Sequence, residues 1–131
     1  MSDINLIAVV VAAVASFIFG ALWYSPLLFL QSWCQETGVN PNEDMANPAR
    51  VYGSTFVLTL LAVIALAFYL GPAPELKTAL LSAFLIGVCF TAGSLGINYQ
   101  FANCSFKHWA IDSGFHIVRF TLMGLILGLW H

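Results

Sequence analysis

The chain has 131 residues, of which 60% are hydrophobic and only 8% are charged, and its formal net charge is −2. Soluble domains carry about 25% charged residues, so a surface this poor in charge must mostly face lipid. The length allows one compact unit. With only four Lys and Arg the chain lacks the basic patches of nucleic-acid-binding proteins, which argues against nucleic acid as a partner.

Four apolar stretches have the length of about 20 residues that an α-helix needs to cross the hydrocarbon core of a bilayer. They are residues 4–28, 51–70, 76–99 and 110–130. The sequence therefore predicts an all-α polytopic membrane protein, a four-transmembrane-helix bundle that forms a single domain over residues 1–131. The lipid bilayer is its first expected partner.

The first span has no basic residues before it and a long apolar run, so we interpret it as a retained helix rather than a signal peptide. Pro26 near its end predicts a bend that sends the next residues along the membrane surface. Trp23, Tyr24 and Trp33 are then expected to be anchors at the membrane–water interface. The polar segment 31–50 is expected to be a loop with one helical turn.

The third span carries a stripe of small and polar residues. Gly87, Thr91, Ser94 and Asn98 are spaced four and three apart, so they share one face of a helix. A tight turn stiffened by prolines, at residues 71–75, joins this span to the second one.

The fourth span holds Arg119 near its middle, so the guanidinium would lie close to the bilayer midplane. A charge there costs at least ~2.5 kcal/mol, and such a residue normally faces protein, water or a ligand. Asp112, His116 and Arg119 share one helix face, which Met123 extends, and Arg119 is expected to lean toward His116 because side chains point toward the helix N-terminus. Asp112 is the only carboxylate in the spans. Further neutralisation of Arg119 therefore needs a backbone carbonyl, water, a bound anion or a partner subunit.

Small residues mark a second face of the fourth span. Gly124 and Gly128 form a GxxxG pattern, which permits close approach of another helix. The fourth helix is therefore expected to have two protein-facing sides. Ala12, Ser16 and Gly20 form a similar pattern on the first span, and both patterns favour a homo-oligomer or an accessory subunit of a larger membrane complex.

If spans three and four form an antiparallel hairpin, their polar stripes lie at the same depth. Three pairs are then expected to match: Asn98 with Asp112, Ser94 with His116, and Thr91 with Arg119. These six residues are the predicted ligand-binding site, in a polar intramembrane core around Arg119 that binds a small ligand or a lipid headgroup. We expect no catalytic residue and no cofactor.

Other interpretations stay open for the same residues. Asp112 could simply cap the start of the fourth helix, where a carboxylate suits the helix dipole. His116, which changes charge near neutral pH, suits a small proton-linked transporter or channel that acts as a dimer. His108, Asp112 and His116 recur every four residues and suit zinc or iron in a metal-dependent membrane enzyme. A single helix rarely supplies three ligands, so coincidence is favoured over a metal site.

The cysteines offer a further alternative. Cys34 and Cys104 lie on loops on the same side of the membrane, so they could pair if that side is oxidising.

Two stretches of the chain resemble a known family. The first is Gly20-Ala21-Leu22-Trp23-Tyr24-Ser25-Pro26-Leu27-Leu28-Phe29 followed by Trp33, and the second runs from Trp109-Ala110-Ile111-Asp112-Ser113-Gly114-Phe115-His116 through Gly124 to Trp130. Both are similar to the first and last helices of the DUF1761 family, small and mostly bacterial membrane proteins of unknown function. The resemblance implies four helices in a bacterial inner membrane, and it implies no activity and no functional residue.

Overall fold

The structure, a computed structural model, describes residues 4–43 and 45–130. This part of the chain is helical throughout and contains no strand. Its elements are α1 (Leu6–Trp23), α2 (Leu30–Thr37), α3 (Pro48–Leu70), α4 (Leu76–Leu85), a π-helical segment (Ile86–Ala92), α5 (Gly93–Phe101) and α6 (Phe106–Leu129). Within the described ranges, four helices are long and apolar enough to cross a membrane: α1, α3, α6 and the continuous Leu76–Phe101. The predicted fold class is confirmed.

The first span ends earlier than predicted. α1 stops at Trp23, before Pro26, and the chain turns before it continues as α2. α2 has eight residues, or about two helical turns, where the sequence predicted a loop with one turn. It ends at Gly38, whose φ of 79° is the left-handed conformation that glycine adopts most readily at a helix end.

The last helix begins earlier than predicted. Ser105 caps it, because its hydroxyl accepts a hydrogen bond from the His108 amide at 3.0 Å. Helix α6 therefore starts at Phe106 rather than at residue 110. Asp112 consequently lies in the second turn, so the interpretation of this carboxylate as a helix cap is wrong.

The glycine face of α6 packs on α4 and the π-helical segment. A Cβ atom at Gly124 would lie 2.7 Å from the Ala79 carbonyl oxygen and 2.7 Å from the Ala83 Cβ, and one at Gly128 would lie 3.1 Å from the Ala79 Cβ. The GxxxG pattern therefore serves helix packing within one chain. Since the opposite side of α6 packs on α1, the prediction of two protein-facing sides is confirmed.

The small residues of the first span are also used inside the chain. Ala12 and Ser16 are buried where α1 packs on α3 and α6, around a core that includes Met123 and Val63. The Ser16 hydroxyl donates to the Ala12 carbonyl oxygen at 2.8 Å, so it needs no partner from another helix. Both small-residue faces that suggested an oligomer are occupied by intramolecular contacts.

The π-helical segment was not predicted. It approaches α6 closely, since a Cβ atom at Gly87 would lie 2.9 Å from the Ile117 Cα. The Trp109 indole of α6 donates to the Ala92 carbonyl oxygen at 2.9 Å and so bonds the C-terminal end of the segment to α6. A wider helical turn absorbs an extra residue, so the residues that follow are rotated by roughly 100° from where a continuous α-helix would put them.

Candidate functional site

Three polar side chains surround the buried carboxylate of Asp112, which is 9% exposed. The Tyr24 hydroxyl donates to Asp112 Oδ1 at 2.6 Å, and the Tyr99 hydroxyl donates to Oδ2. His108 lies one turn earlier on α6, with its Nε2 atom 3.1 Å from Oδ2. Residues of α1, α5 and α6 thus meet on one carboxylate, which we call the Asp112 cluster (Tyr24, Tyr99, His108 and Asp112).

The end of α1 is positioned by a second hydrogen bond to α6. The Trp23 indole donates to the Ile111 carbonyl oxygen at 3.0 Å, next to the bond from Tyr24 to Asp112. The Tyr24 ring contacts the edges of Trp33 and Phe115, with centroids 5.8 and 5.4 Å apart. Trp23 and Tyr24 were predicted to be interfacial anchors, but their polar atoms are bonded to α6 rather than free to bind headgroups or water.

The environment of Tyr24, just beyond the end of α1, keeps its phenol protonated. Burial raises the pKa of Tyr24, and the hydrogen bond to Asp112 and the negative charge of that carboxylate raise this pKa further. The phenol therefore remains a donor at physiological pH. Two phenols donate hydrogen bonds to Asp112 and the His108 imidazole lies in contact with it, so this buried carboxylate has polar partners at both oxygens.

Arg119 lies about 20 Å along α6 from its first residue, in a different environment. Its Nε atom donates to His116 Nδ1 at 2.9 Å, which confirms the predicted lean toward the helix N-terminus. The guanidinium carbon is 4.5 Å from the Phe120 ring centroid and 5.7 Å from that of Phe115, close enough for cation–π attraction. The Nη1 atom is buried and has no hydrogen-bond partner among the described residues.

The predicted network of Asp112, His116 and Arg119 is divided into two separate groups. Asp112 is bonded to the two phenols and to His108, whereas the Nδ1 atom of His116 is taken up by Arg119. Within residues 4–43 and 45–130, no carboxylate forms an ion pair with Arg119. The guanidinium is therefore surrounded by aromatic rings and one imidazole rather than by the polar core that the sequence predicted.

Of the third-span stripe, Gly87 packs against α6, but the three polar residues do not face it as expected. Thr91 is half-buried, and Ser94 and Asn98 are exposed, so the predicted pairs across the hairpin do not form. The physical reason is the rotation introduced by the π-helical segment that precedes α5. Tyr99, next to Asn98, bonds to Asp112 instead. The predicted face was wrong, and so was the predicted depth, because Gly87 lies against Ile117 where the expected register places it opposite Met123. A ligand-binding role of these residues stays a prediction.

The ligand set of the metal-site alternative is not assembled. His108 and Asp112 are in contact, but His116 is bonded to Arg119. In the described part of the chain, no three His, Cys, Asp or Glu side chains are close enough together to hold a metal ion. Cys34 and Cys104, which could have paired, are both free thiols.

Comparison with known proteins places the chain in a family. A family model described as protein of unknown function, DUF1761, matches residues 7–128, which is nearly the whole chain. The chain belongs to the DUF1761 family. No curated protein and no solved structure matches it. This DUF1761 member is a multi-pass membrane protein, and the resemblance noted in its sequence is confirmed.

Proposed function

We propose that this DUF1761 protein is a non-enzymatic membrane protein that binds an anionic oxygen-bearing group at Arg119, either a small anion or a lipid headgroup. The observation that carries the proposal is the buried Nη1 atom, which has no acceptor among the described residues. An unpaired buried charge carries a penalty of several kcal/mol, so such a donor requires a partner. An oxyanion would supply both a negative charge and the missing acceptor.

The neighbours of Arg119 support this proposal. His116 accepts a hydrogen bond from Arg119 at Nδ1, but this imidazole carries no negative charge and therefore leaves the charge of the guanidinium uncompensated. The rings of Phe115 and Phe120 lie beside the guanidinium, and apolar neighbours of this kind lower the local dielectric constant and strengthen the attraction for an anion. Asp112 is bonded to its own donors and leaves Arg119 uncompensated.

The Asp112 cluster supports a role other than catalysis. Its titratable side chains come from three helices and are bonded to one another. This arrangement suits a fixed connection between helices more than a site in which groups exchange protons with a substrate. We therefore assign it to holding α1, α5 and α6 in register.

The test is ligand-dependent thermal stabilisation of the purified protein. Inorganic phosphate and phosphatidylglycerol are separate probes that distinguish a small anion from a lipid headgroup, and phosphatidylcholine is the reference lipid. Bound ligand at one hundred times Kd stabilises by about 2.7 kcal/mol, so a shift in Tm is measurable. We expect one probe to raise Tm in wild type and in Arg50→Gln, an exposed control, but not in Arg119→Gln. An equal shift in Arg119→Gln would overturn the proposal.

We further propose that the protein works as a homo-oligomer or as an accessory subunit of a larger membrane complex, in a bacterial inner membrane. Only four residues of α3 are buried, namely Thr59, Val63, Leu66 and Ala67, and large apolar side chains such as Leu58 and Leu61 are exposed. Because the small-residue faces of α1 and α6 are already occupied, we expect contacts between subunits through α3. Native mass spectrometry that finds only monomers in nanodiscs would contradict homo-oligomerisation.

A second candidate is a proton-linked transporter or channel that acts as a dimer. It is favoured by the spacing of His108, Asp112, His116 and Arg119, which places titratable side chains one turn apart from the start of α6 to its middle. Proton flux into proteoliposomes that His116→Ala abolishes would support this function over static ligand binding. Proteoliposomes that contain the protein and show no proton flux would rule out this function.

A further inference from the structure

A cavity of about 640 Å³ lies between α5 and the start of α6. Arg119 is not among the residues that line it, so it is separate from the proposed anion site. One end of the cavity is formed by Gly93, Gly96 and Ile97, and the other by uncharged polar residues that include Gln100 and Cys104, together with the ring of Phe106. The cavity thus changes from apolar to polar along the third span.

This change in polarity follows the membrane depth. Gly93 lies about 12 Å along the helix from its last residue, Phe101, at 1.5 Å per residue. The apolar end therefore belongs to the part of the third span that is long and apolar enough to cross a membrane, while Gln100 and Cys104 lie where that span ends and the connecting loop begins. An occupant that matches both ends is an amphiphile oriented like the surrounding lipids.

Glycines and a fixed indole create the space. A Cβ atom at Gly93 would meet only the Val88 carbonyl oxygen, at 3.9 Å, so room remains beside that position. Trp109 lines the cavity with an indole that is held by its hydrogen bond to the Ala92 carbonyl oxygen. A Cβ atom at Gly96 would lie 3.1 Å from the Trp109 Nε1 atom, so a larger residue there would displace this side chain.

We propose that this cavity holds one phospholipid of the membrane, with an acyl chain along Gly93 and Ile97 and its ester carbonyls beside Gln100. Among residues 4–43 and 45–130 no charged side chain lines the cavity, so its polar end complements the uncharged ester region rather than an ionic headgroup. The Gln100 amide is a donor suited to an ester carbonyl. Tyr99 both lines the cavity and donates to Asp112, so the lipid contacts the Asp112 cluster directly.

The test measures phospholipid retained by the purified protein after exhaustive detergent washing, by native mass spectrometry and by phosphorus analysis. Gly93→Leu fills the apolar end, and Gly53→Leu is the matched control because a Cβ atom at Gly53 meets nothing within 4 Å. We expect wild type and Gly53→Leu to retain one phospholipid per protein. In Gly93→Leu the affinity for the phospholipid should fall about tenfold, which is equivalent to ~1.4 kcal/mol of binding free energy.

A second pair of variants keeps the test decisive if Gly93→Leu fails to fold. Ile97→Trp narrows the same end, and Ile18→Trp on α1 is its control, since Ile97 and Ile18 are 62% and 63% exposed. Retention in Ile18→Trp and loss in Ile97→Trp would support the proposal. Equal retention in all variants, no retained lipid in wild type, or an isoprenoid quinone in place of the phospholipid would overturn it. None of these outcomes depends on Arg119. The lipid proposal for this cavity and the proposal of an anion site are therefore tested independently.

Discussion

Tyr24, which caps the C-terminal end of α1, donates a 2.6 Å hydrogen bond to Asp112 of α6, across 88 positions of the chain. The bond connects the end of the first membrane-spanning helix to the second turn of the last one. Because Tyr99 and His108 also contact this carboxylate, Asp112 joins α1, α5 and α6 at one level. The loss of any one donor leaves a buried carboxylate with fewer partners, so the cluster is expected to contribute strongly to stability.

Removal of the Tyr24 hydroxyl is expected to destabilise the protein. Tyr24→Phe keeps the aromatic packing and removes one donor from buried Asp112, which should lower the free energy of unfolding by ~1–3 kcal/mol. Tyr69→Phe is the control, since Tyr69 is 71% exposed. Thermal unfolding in a mild detergent gives the Tm of each variant. Equal Tm values for the two variants would show that the bond to Asp112 has no structural importance.

The close approach of the π-helical segment to α6 predicts intolerance at Gly87. A methyl group there would lie 2.9 Å from the Ile117 Cα, so Gly87→Ala should force the helices apart and cost ~1–3 kcal/mol of unfolding free energy. Gly53→Ala, in open space, should be neutral or stabilise by ~0.5–1 kcal/mol through better helix propensity. Urea titrations or thermal melts compare the two, and a neutral Gly87→Ala would contradict the observed packing.

The GxxxG face of α6 predicts a folding defect rather than an assembly defect. Gly124→Leu places a large side chain against the Ala79 carbonyl oxygen and Ala83, and we expect a loss of more than about 3 kcal/mol. Gly53→Leu again controls for the added bulk. Thermal unfolding and native mass spectrometry are read together. A Gly124→Leu protein that keeps its Tm but loses subunits would mean that this face contacts another chain.

The indole of Trp109 is expected to stabilise the π-helical segment. Trp109→Phe removes the donor to the Ala92 carbonyl oxygen and should cost ~1 kcal/mol, with faster amide hydrogen exchange in Ile86–Ala92. Trp130→Phe, at the exposed end of α6, is the control and should leave that exchange unchanged. Equal amide exchange rates in the two variants would show that the indole hydrogen bond does not stabilise the π-helical segment.

The membrane-spanning helices could be predicted from the sequence because each one corresponds to a long run of apolar residues. Each span is an apolar run of membrane length, and the two faces of α6 follow from the spacing of Asp112, His116 and Arg119 against that of Gly124 and Gly128. The lean of Arg119 toward His116 follows from helix geometry alone. These features depend on local spacing, which the sequence states directly.

The partners across helices could not be predicted in the same way. The π-helical segment changes which residues of the third span face α6, and its sequence, which includes Gly87 and Thr91, carries no distinctive signal for it. The expected pairing of Asn98 with Asp112 is wrong, and the next residue along the chain, Tyr99, bonds to Asp112 instead. The sequence predicts an interfacial anchor at Tyr24 because an aromatic residue near the end of a membrane-spanning helix is usually one. Its bond to Asp112 depends on how α1 packs on α6.

The proposal that Arg119 binds an anion is tested most directly by an experimental structure of the protein in a native-lipid bilayer. The decisive region lies within about 3 Å of the Arg119 Nη1 atom, the distance of a hydrogen-bond acceptor. We expect density there for a phosphate or other oxyanion that belongs neither to this chain nor to solvent. A guanidinium that meets only acyl chains, water or a protein carbonyl would contradict the proposed function.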